Sequence, residues 1–124
     1  MKILIIDNDP GMCQLMTMAF KHAKIDVVAT GSLQEAEGYI FDDSIGALLM
    51  DYHLGGGESG FSVLKRFSDL GMKLPFWLVT GTPNDPGALQ VKELPGCQGI
   101  VAKPFSIQEL IKTVAPVLSS KPRS

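Results

Sequence analysis

Five polar residues of the sequence stand at or next to the end of an apolar run. Carboxylate and amide oxygens can hold Mg²⁺, which keeps several of its waters when it binds a protein. A carboxylate can attack phosphorus to give an acyl phosphate, and an ammonium or a hydroxyl can stabilise the charge on the phosphoryl oxygens. The residues that offer these groups are Asp7, Asn8, Asp51, Thr80 and Lys103. Together they would suit phosphoryl chemistry assisted by Mg²⁺.

The apolar runs alternate with segments whose apolar residues recur at helical spacing. This alternation predicts an α/β fold, a doubly wound five-stranded parallel sheet with helices on both faces. Ligands of such sheets bind beyond the carboxyl ends of the strands, so the five polar residues should meet at one edge. Spacing alone leaves the strand order open. We expect strands at 2–6, 25–30, 46–50, 75–80 and 99–102, and helices at 10–23, from 32 onward, at 60–70, in short form within 83–98, and from 106 toward 116.

The acids near the first strand have competing interpretations. Asp9 precedes Pro10, and Asp at the N-cap followed by Pro is an ordinary helix start, so we expect Asp9 to cap rather than to ligate. Asp7 could also be a capping acid. An acid that directly ends a buried strand is costly unless it is used, and Asp51 is in the same situation. We therefore expect Asp7 and Asp51 to be functional.

Other helix ends also carry signals in the sequence. Ser32 with Glu35 and Ser106 with Glu109 have the spacing of a capping box. The last helix meets Pro116, which lacks a backbone N–H and is expected to end or kink it.

Length and composition limit the function. The 124-residue chain is the size of one domain, and its formal net charge of −2 argues against a nucleic-acid or anionic-membrane surface. Its two cysteines, Cys13 and Cys97, form no C-x-x-C pair, so no disulfide scaffold or zinc site is expected. Asp7 ends the first apolar run too early for a signal peptide, and no run approaches the ~18 residues of a membrane span. We expect a reduced, cytoplasmic domain.

Four short motifs follow one another along nearly the whole chain, from Lys2 to about Leu118. They are IDND at the first acidic turn, LLMDYHL around Asp51, VTG at Thr80 and AKPF at Lys103. In this order, and on this alternation, the sequence resembles the receiver domain of two-component response regulators. The resemblance implies a flavodoxin-like fold with strand order 2-1-3-4-5. It also implies that the domain accepts a phosphoryl group from a phosphohistidine of a histidine kinase or a histidine phosphotransfer protein.

The resemblance assigns roles to the acidic residues. Asp51 is implied as the phosphoacceptor. Mg²⁺ is implied to bind Asp7, Asp51 and the backbone carbonyl of His53. Asn8 stands where the family usually has its second metal-binding acid. Because an amide carries no charge, we expect the metal site to be weakened.

Further positions are implied to act on the phosphoryl group or to respond to it. Thr80 would turn toward the group and Lys103 would pair with it, and the Lys103–Pro104 peptide bond is usually cis. Ile100 stands where the family commonly has Tyr or Phe as its switch aromatic, which puts the usual relay in doubt. Gly55 stands where the family often has proline, in a Gly-rich loop that we expect to be more mobile than usual.

Two other interpretations stay open. Asn8 and Ile100 also fit a degenerate receiver that acts as a phosphorylation-independent protein-interaction module. The sequence Asp7-Asn8-Asp9 resembles the nucleophile motif of haloacid-dehalogenase-type phosphatases, although the order of the later motifs argues against that class. We expect a self-phosphorylating acceptor with intrinsic aspartyl-phosphate hydrolysis, and not a turnover enzyme.

The resemblance also sets the expected organisation. We expect residues 1–118 to form the receiver domain and residues 119–124 to be a C-terminal tail or the start of a linker. The expected partner is the kinase or phosphotransfer protein, with no direct contact to nucleic acid or membrane. The domain is expected to be a monomer or a weak, phosphorylation-dependent dimer.

Overall fold

The computed structural model describes residues 1–53 and 60–119, so Gly55 with its loop and the predicted tail beyond Ser119 lie outside the described residues. The strands are β1 (Lys2–Ile6), β2 (Val27–Thr30), β3 (Ile45–Asp51), β4 (Phe76–Thr80) and β5 (Cys97–Ala102). The helices are α1 (Pro10–His22), α2 (Leu33–Glu37), α3 (Gly60–Asp69), α4 (Pro86–Val91) and α5 (Ile107–Ser119). Within the described ranges, no helix is long and apolar enough to cross a membrane.

The strands form one parallel sheet in the order β2-β1-β3-β4-β5. Ile6 at the end of β1 pairs with Thr30 on one side and with Met50 on the other, and Thr80 pairs with Ala102 of β5. This order confirms the flavodoxin-like fold. Because all strands run in the same direction, the residues that follow them meet at one edge of the sheet.

Apolar side chains cover both faces of the sheet. β3 is buried along its whole length and sends alternate residues to opposite faces. Leu48 and Met50 pack in one cluster with Phe67 of α3, and Leu49 packs in the other with Phe20 of α1. Each fully buried side chain of this kind contributes about 1.5–3 kcal/mol. The two clusters hold the strand ends in fixed positions.

The predicted helix starts at positions 9 and 32 are confirmed. The Asp9 carboxylate accepts the backbone N–H groups of Gly11 at 2.9 Å and Met12 at 3.4 Å, so Asp9 is the N-cap of α1. Ser32 Oγ accepts the N–H of Glu35 at 3.2 Å. The Asp9 carboxylate therefore caps α1, as the sequence predicted.

The last helix begins as predicted and ends later than predicted. The N–H of Glu109 donates to Ser106 Oγ at 3.4 Å. Of the two effects expected of Pro116, an end or a kink, the end is wrong, because α5 continues to Ser119. Pro116 costs the helix one backbone hydrogen bond. Burial of Val114 and Leu118 on either side of it offsets this cost.

Two smaller details also differ from the sequence pattern. Ile40 lies at helical spacing from Ala36 and is buried, but α2 already ends at Glu37, with Gly38 as its C-cap. Leu15 has the spacing of the apolar stripe of α1 and is nevertheless 51% exposed. Helical spacing therefore overestimates the buried part of both segments.

Gly96 forms the turn that leads into β5. Its φ is +91°, in the left-handed region, and an added Cβ would lie 2.9 Å from the carbonyl oxygen of Leu74. Its own carbonyl accepts the N–H of Phe76 at 2.9 Å. Gly71 has a similar φ of +100°, but no atom lies within 4 Å of an added Cβ. A substitution at Gly71 would therefore meet only an unfavourable backbone conformation, whereas one at Gly96 would also meet a neighbouring atom.

We expect Gly71→Ala to lower the free energy of unfolding by about 1 kcal/mol, because alanine is strained at positive φ. Gly96→Ala should cost about 1–3 kcal/mol more, because the added methyl group also meets the Leu74 carbonyl. Urea unfolding of the two variants measures both losses. Equal losses would contradict the close approach at Gly96.

Candidate functional site

Two buried carboxylates lie side by side at the carboxyl ends of β1 and β3. The register pairs Ile6 with Met50, which places Asp7 next to Asp51. Asp7 is 1% exposed and Asp51 is 5% exposed. Two neighbouring carboxylates in a buried position are unfavourable unless cations or hydrogen bonds compensate them. The structure thus brings together the two acids that the sequence singled out.

The two oxygens of Asp7 differ in their surroundings. Oδ1 accepts the backbone N–H of Asp9 at 2.9 Å. Oδ2 is buried and accepts no hydrogen bond from any residue in the described part of the chain. Burial raises the pKa of Asp7, the Asp9 N–H lowers it, and the Asp51 carboxylate raises it further. A divalent cation would offset the negative charge of this oxygen and of the neighbouring Asp51 carboxylate. The donor set therefore fits Mg²⁺.

Asp51 is held from two sides. Its Oδ2 lies 3.4 Å from Nζ of Lys103, and its Oδ1 accepts the backbone N–H of His53 at 3.1 Å. The backbone N–H of Lys103 donates to the carbonyl of Thr80 at 2.8 Å. The Lys103–Pro104 peptide bond is cis, as the family resemblance implied. These contacts place one positive charge against the Asp51 carboxylate.

The buried hydroxyl of Thr80 belongs to a small polar network. Its Oγ1 accepts the N–H of Thr82 at 3.0 Å and lies 3.2 Å from the Thr82 hydroxyl. Nε2 of His53 lies 3.4 Å from Thr80 Oγ1 and 3.3 Å from Thr82 Oγ1. The sequence interpretation gave His53 a backbone role only, so its ring contacts are an addition from the structure. In the sequence, the only indication of this network is the hydroxyl of Thr82, two residues after Thr80.

The other predicted metal ligands belong to segments at the same edge. Asn8 is exposed in the turn between β1 and α1, and His53 follows β3. Across residues 1–53 and 60–119, no group of three His, Cys, Asp or Glu side chains is placed to hold a metal. A metal at this edge would bind two carboxylates, an amide and a backbone carbonyl, with less negative charge than three acids provide.

Tyr52, which sequence reasoning missed, connects this edge to α4. Its hydroxyl lies near the carboxylate of Asp85, the N-cap of α4. Burial raises the pKa of Tyr52, and the nearby Asp85 carboxylate raises it further. An added Cβ at Gly87 would overlap the Tyr52 hydroxyl, and one at Gly60 would lie 2.8 Å from ring atom Cδ1. The ring therefore fits between the starts of two helices.

Comparison with known families identifies this arrangement. The family described as the response regulator receiver domain matches residues 3–115, a range that includes both buried acids, Thr80 and Lys103. The chain belongs to this family. The family confirms the predicted membership in two-component signalling, and the sheet order agrees with the fold that the resemblance implied.

Individual relatives show the same similarity. The phosphate regulon transcriptional regulatory protein PhoB of Pseudomonas aeruginosa is 26% identical over 118 residues, which are 94% of this chain and 51% of PhoB. Nodulation protein W of Bradyrhizobium diazoefficiens is 27% identical over 112 residues, 90% of this chain and 48% of that protein. The chain thus spans about half the length of these relatives.

Solved structures share the fold. The non-phosphorylated receiver domain of HemR from Leptospira biflexa matches with a TM-score of 0.83 and 22% identity, over 99% of this chain and 98% of that one. A two-component response regulator from Clostridium difficile matches with a TM-score of 0.80 and 24% identity, over 96% of both chains. At these identities the likeness establishes the fold.

The repulsion between the buried acids gives a prediction about stability. We expect Asp7→Asn to raise the free energy of unfolding by about 1 kcal/mol in a buffer without divalent cations. The amide keeps an acceptor for the Asp9 N–H and removes one of two neighbouring negative charges. Thermal unfolding should show Tm higher by about 2–8 °C.

Asp43→Asn is the matched control, because Asp43 is an exposed carboxylate and its replacement changes the net charge equally. This variant should leave Tm nearly unchanged. A lower Tm in Asp7→Asn would show that the Asp7 carboxylate is compensated within the protein.

Proposed function

We propose that this receiver domain accepts a phosphoryl group on Asp51 and so switches or relays a two-component signal. The donor is a phosphohistidine of a histidine kinase or a histidine phosphotransfer protein. An Asp51 oxygen attacks phosphorus, a P–O bond forms while the P–N bond breaks, and the electron pair leaves with the imidazole nitrogen. The observation that carries the proposal is the buried Asp51 carboxylate, beside Asp7 and 3.4 Å from Lys103.

Mg²⁺ fits the proposed site through Asp7, Asn8, Asp51 and the backbone carbonyl of His53. When bound, Mg²⁺ supplies positive charge that offsets the charge of the phosphoryl oxygens. The buried Oδ2 of Asp7, which accepts no hydrogen bond from the described residues, supports this assignment. Asn8 offers an oxygen without a charge. Because charged ligands favour hard cations, this site should bind Mg²⁺ more weakly than a three-acid site.

Lys103 and Thr80 act on the charge of the phosphoryl group. The Lys103 ammonium pairs with the Asp51 carboxylate before transfer and with phosphoryl oxygens afterwards. Thr80 has one hydroxyl hydrogen, which can donate to a phosphoryl oxygen once the hydroxyl turns away from Thr82. Water then hydrolyses the aspartyl phosphate and restores Asp51, so the domain is a self-phosphorylating acceptor and not a turnover enzyme.

The proposed functional unit is the receiver domain of residues 1–118, with residues 119–124 as a tail or the start of a linker. It acts in the cytoplasm as a monomer or a weak, phosphorylation-dependent dimer. Its net charge of −2 favours a protein partner over direct contact with nucleic acid or an anionic membrane. Since the chain spans about half the length of PhoB and of nodulation protein W, the proposed function is that of the receiver domain alone.

Incubation with a small acyl phosphate and Mg²⁺ should add one phosphoryl group to the wild-type protein, detected by intact mass spectrometry. Asp51→Asn should abolish the gain, because the amide is not a nucleophile toward phosphorus. Asp9→Asn is the matched control. Asparagine caps helices as well as aspartate does, so this variant should be phosphorylated like the wild type.

The same experiment distinguishes the second interpretation. A wild-type protein that gains no phosphoryl group at any Mg²⁺ concentration, and whose partner binding is unchanged by Asp51→Asn, would be a degenerate receiver that acts as an interaction module.

Asn8→Asp should strengthen Mg²⁺ binding, because it adds a third negative charge to the site. We expect the dissociation constant to fall by roughly tenfold, equivalent to about 1.4 kcal/mol. Isothermal titration of the unphosphorylated proteins measures the difference. Asn84→Asp adds the same charge at an exposed position before α4 and should have little effect. Equal affinities of wild type and Asn8→Asp would remove position 8 from the metal site.

A further inference from the structure

Two residues beside the site have side chains that the proposed function leaves unused. Tyr52 and His53 directly follow Asp51, and both contact the segment between β4 and α4. Ile100 of β5 packs against the core and has neither a ring nor a polar group. The position that the family resemblance assigns to a switch aromatic therefore offers no polar path to the surface. Another connection must carry any change at Asp51 to the helices.

Tyr52 is half-buried and lies between β4 and the starts of two helices. Its backbone N–H donates to the carbonyl of Val79 at 2.9 Å. Its ring lies against Gly60 of α3, and its hydroxyl lies against Gly87 in the first turn of α4; at both glycines an added Cβ would collide with it. The Asp85 carboxylate lies near the Tyr52 hydroxyl and accepts the N–H of Gly87 at 2.9 Å. Because Tyr52 packs directly against the first turn of α4, a movement of its ring toward the helix displaces α4.

His53 holds the same segment at a second point. Its Nε2 lies 3.3 Å from Thr82 Oγ1 and 3.4 Å from Thr80 Oγ1. The carbonyl of Thr82 accepts the N–H of Asp85 at 3.0 Å, so this segment turns directly into the cap of α4. The rings of His53 and Tyr52 pack edge to face, with centroids 5.0 Å apart and an interplanar angle of 80°. The two side chains form a continuous contact from the end of β3 to α4.

We propose that Tyr52 and His53 carry the change of state at Asp51 to α4, in place of an aromatic ring at position 100. This inference rests on the proposed phosphorylation of Asp51. Thr80 has a single hydroxyl hydrogen, and a phosphoryl oxygen that accepts it takes it away from its present neighbours. The network that joins Thr80 to His53 and Thr82 then rearranges at Thr80.

Helix α4 is suited to respond to such a rearrangement. It has six residues, far fewer than a helix needs to be stable by itself, so its contacts decide its position. The Asp85 cap holds its first turn and lies near the Tyr52 hydroxyl. Leu89 is 41% exposed, so a shift of α4 changes an accessible surface. A change in the Tyr52–Asp85 contact therefore reaches the outside of the domain.

Hydrogen–deuterium exchange of the α4 amides, with and without an acyl phosphate and Mg²⁺, tests this connection. Tyr52→Phe removes the hydroxyl and keeps the ring between the two glycines. Tyr39→Phe is the matched control, because Tyr39 is another partly buried tyrosine that packs against the same core. Intact mass spectrometry of the same samples gives the phosphorylated fraction.

We expect phosphorylation to change the exchange of Pro86–Val91 in the wild type and in Tyr39→Phe. Tyr52→Phe should be phosphorylated to the same extent and lose most of that change. Ile100→Ala should retain the change, because the proposed connection does not pass through β5.

Three results would overturn the inference. They are a full exchange change in phosphorylated Tyr52→Phe, no change in the phosphorylated wild type, and loss of the change in Ile100→Ala alone. Failure of the proposed function is a separate result, since it appears in the mass spectra as the absence of a phosphoryl group from every protein.

Discussion

The site depends on the enforced proximity of two carboxylates. Asp7 and Asp51 follow strands that are buried on both faces, and the parallel register of β1 and β3 sets them next to each other. The protein offsets their repulsion only in part, through the Lys103 ammonium and two backbone N–H groups. Burial, together with the neighbouring Asp51 carboxylate, raises the pKa of Asp7. Binding of a cation would stabilise a site of this kind. Without the cation, the stability of the fold keeps the two carboxylates next to each other.

The parts of this arrangement that sequence alone could predict are the parts set by local pattern. Continuous apolar runs indicate strands buried on both faces, and the direction of parallel strands places Asp51, Thr80 and Lys103 at one edge. The sequence Asp9-Pro10 predicted correctly that Asp9 is the N-cap of α1. The strand order did not follow from spacing. It came from the family motifs, because two sheets with different strand orders can have the same run of strands and helices.

The contacts that sequence missed join residues far apart in the chain. His53 meets Thr82, and Tyr52 meets Asp85, through the packing of β3 beside β4 and through glycines that leave room for a ring. No periodicity encodes such contacts. One local signal was available, because Asp85 precedes a proline in the same way as Asp9 and marks the start of α4. Pro116 shows the converse, where burial of the surrounding helix outweighs a local signal.

The amide at position 8 affects the two proposed states of the site differently. Without metal or phosphoryl group, Asp7 and Asp51 already exceed the charge of Lys103, and a third acid would deepen the repulsion. In the phosphorylated state, a phosphoryl group of about two negative charges stands on Asp51. With Asp7, it balances Mg²⁺ and Lys103 without help from position 8. In the proposed mechanism, Asn8 would thus lower Mg²⁺ binding mainly before phosphorylation. By linkage, Mg²⁺ and the phosphoryl group would then favour each other's binding more strongly than in a three-acid site, which would increase the difference between the two states.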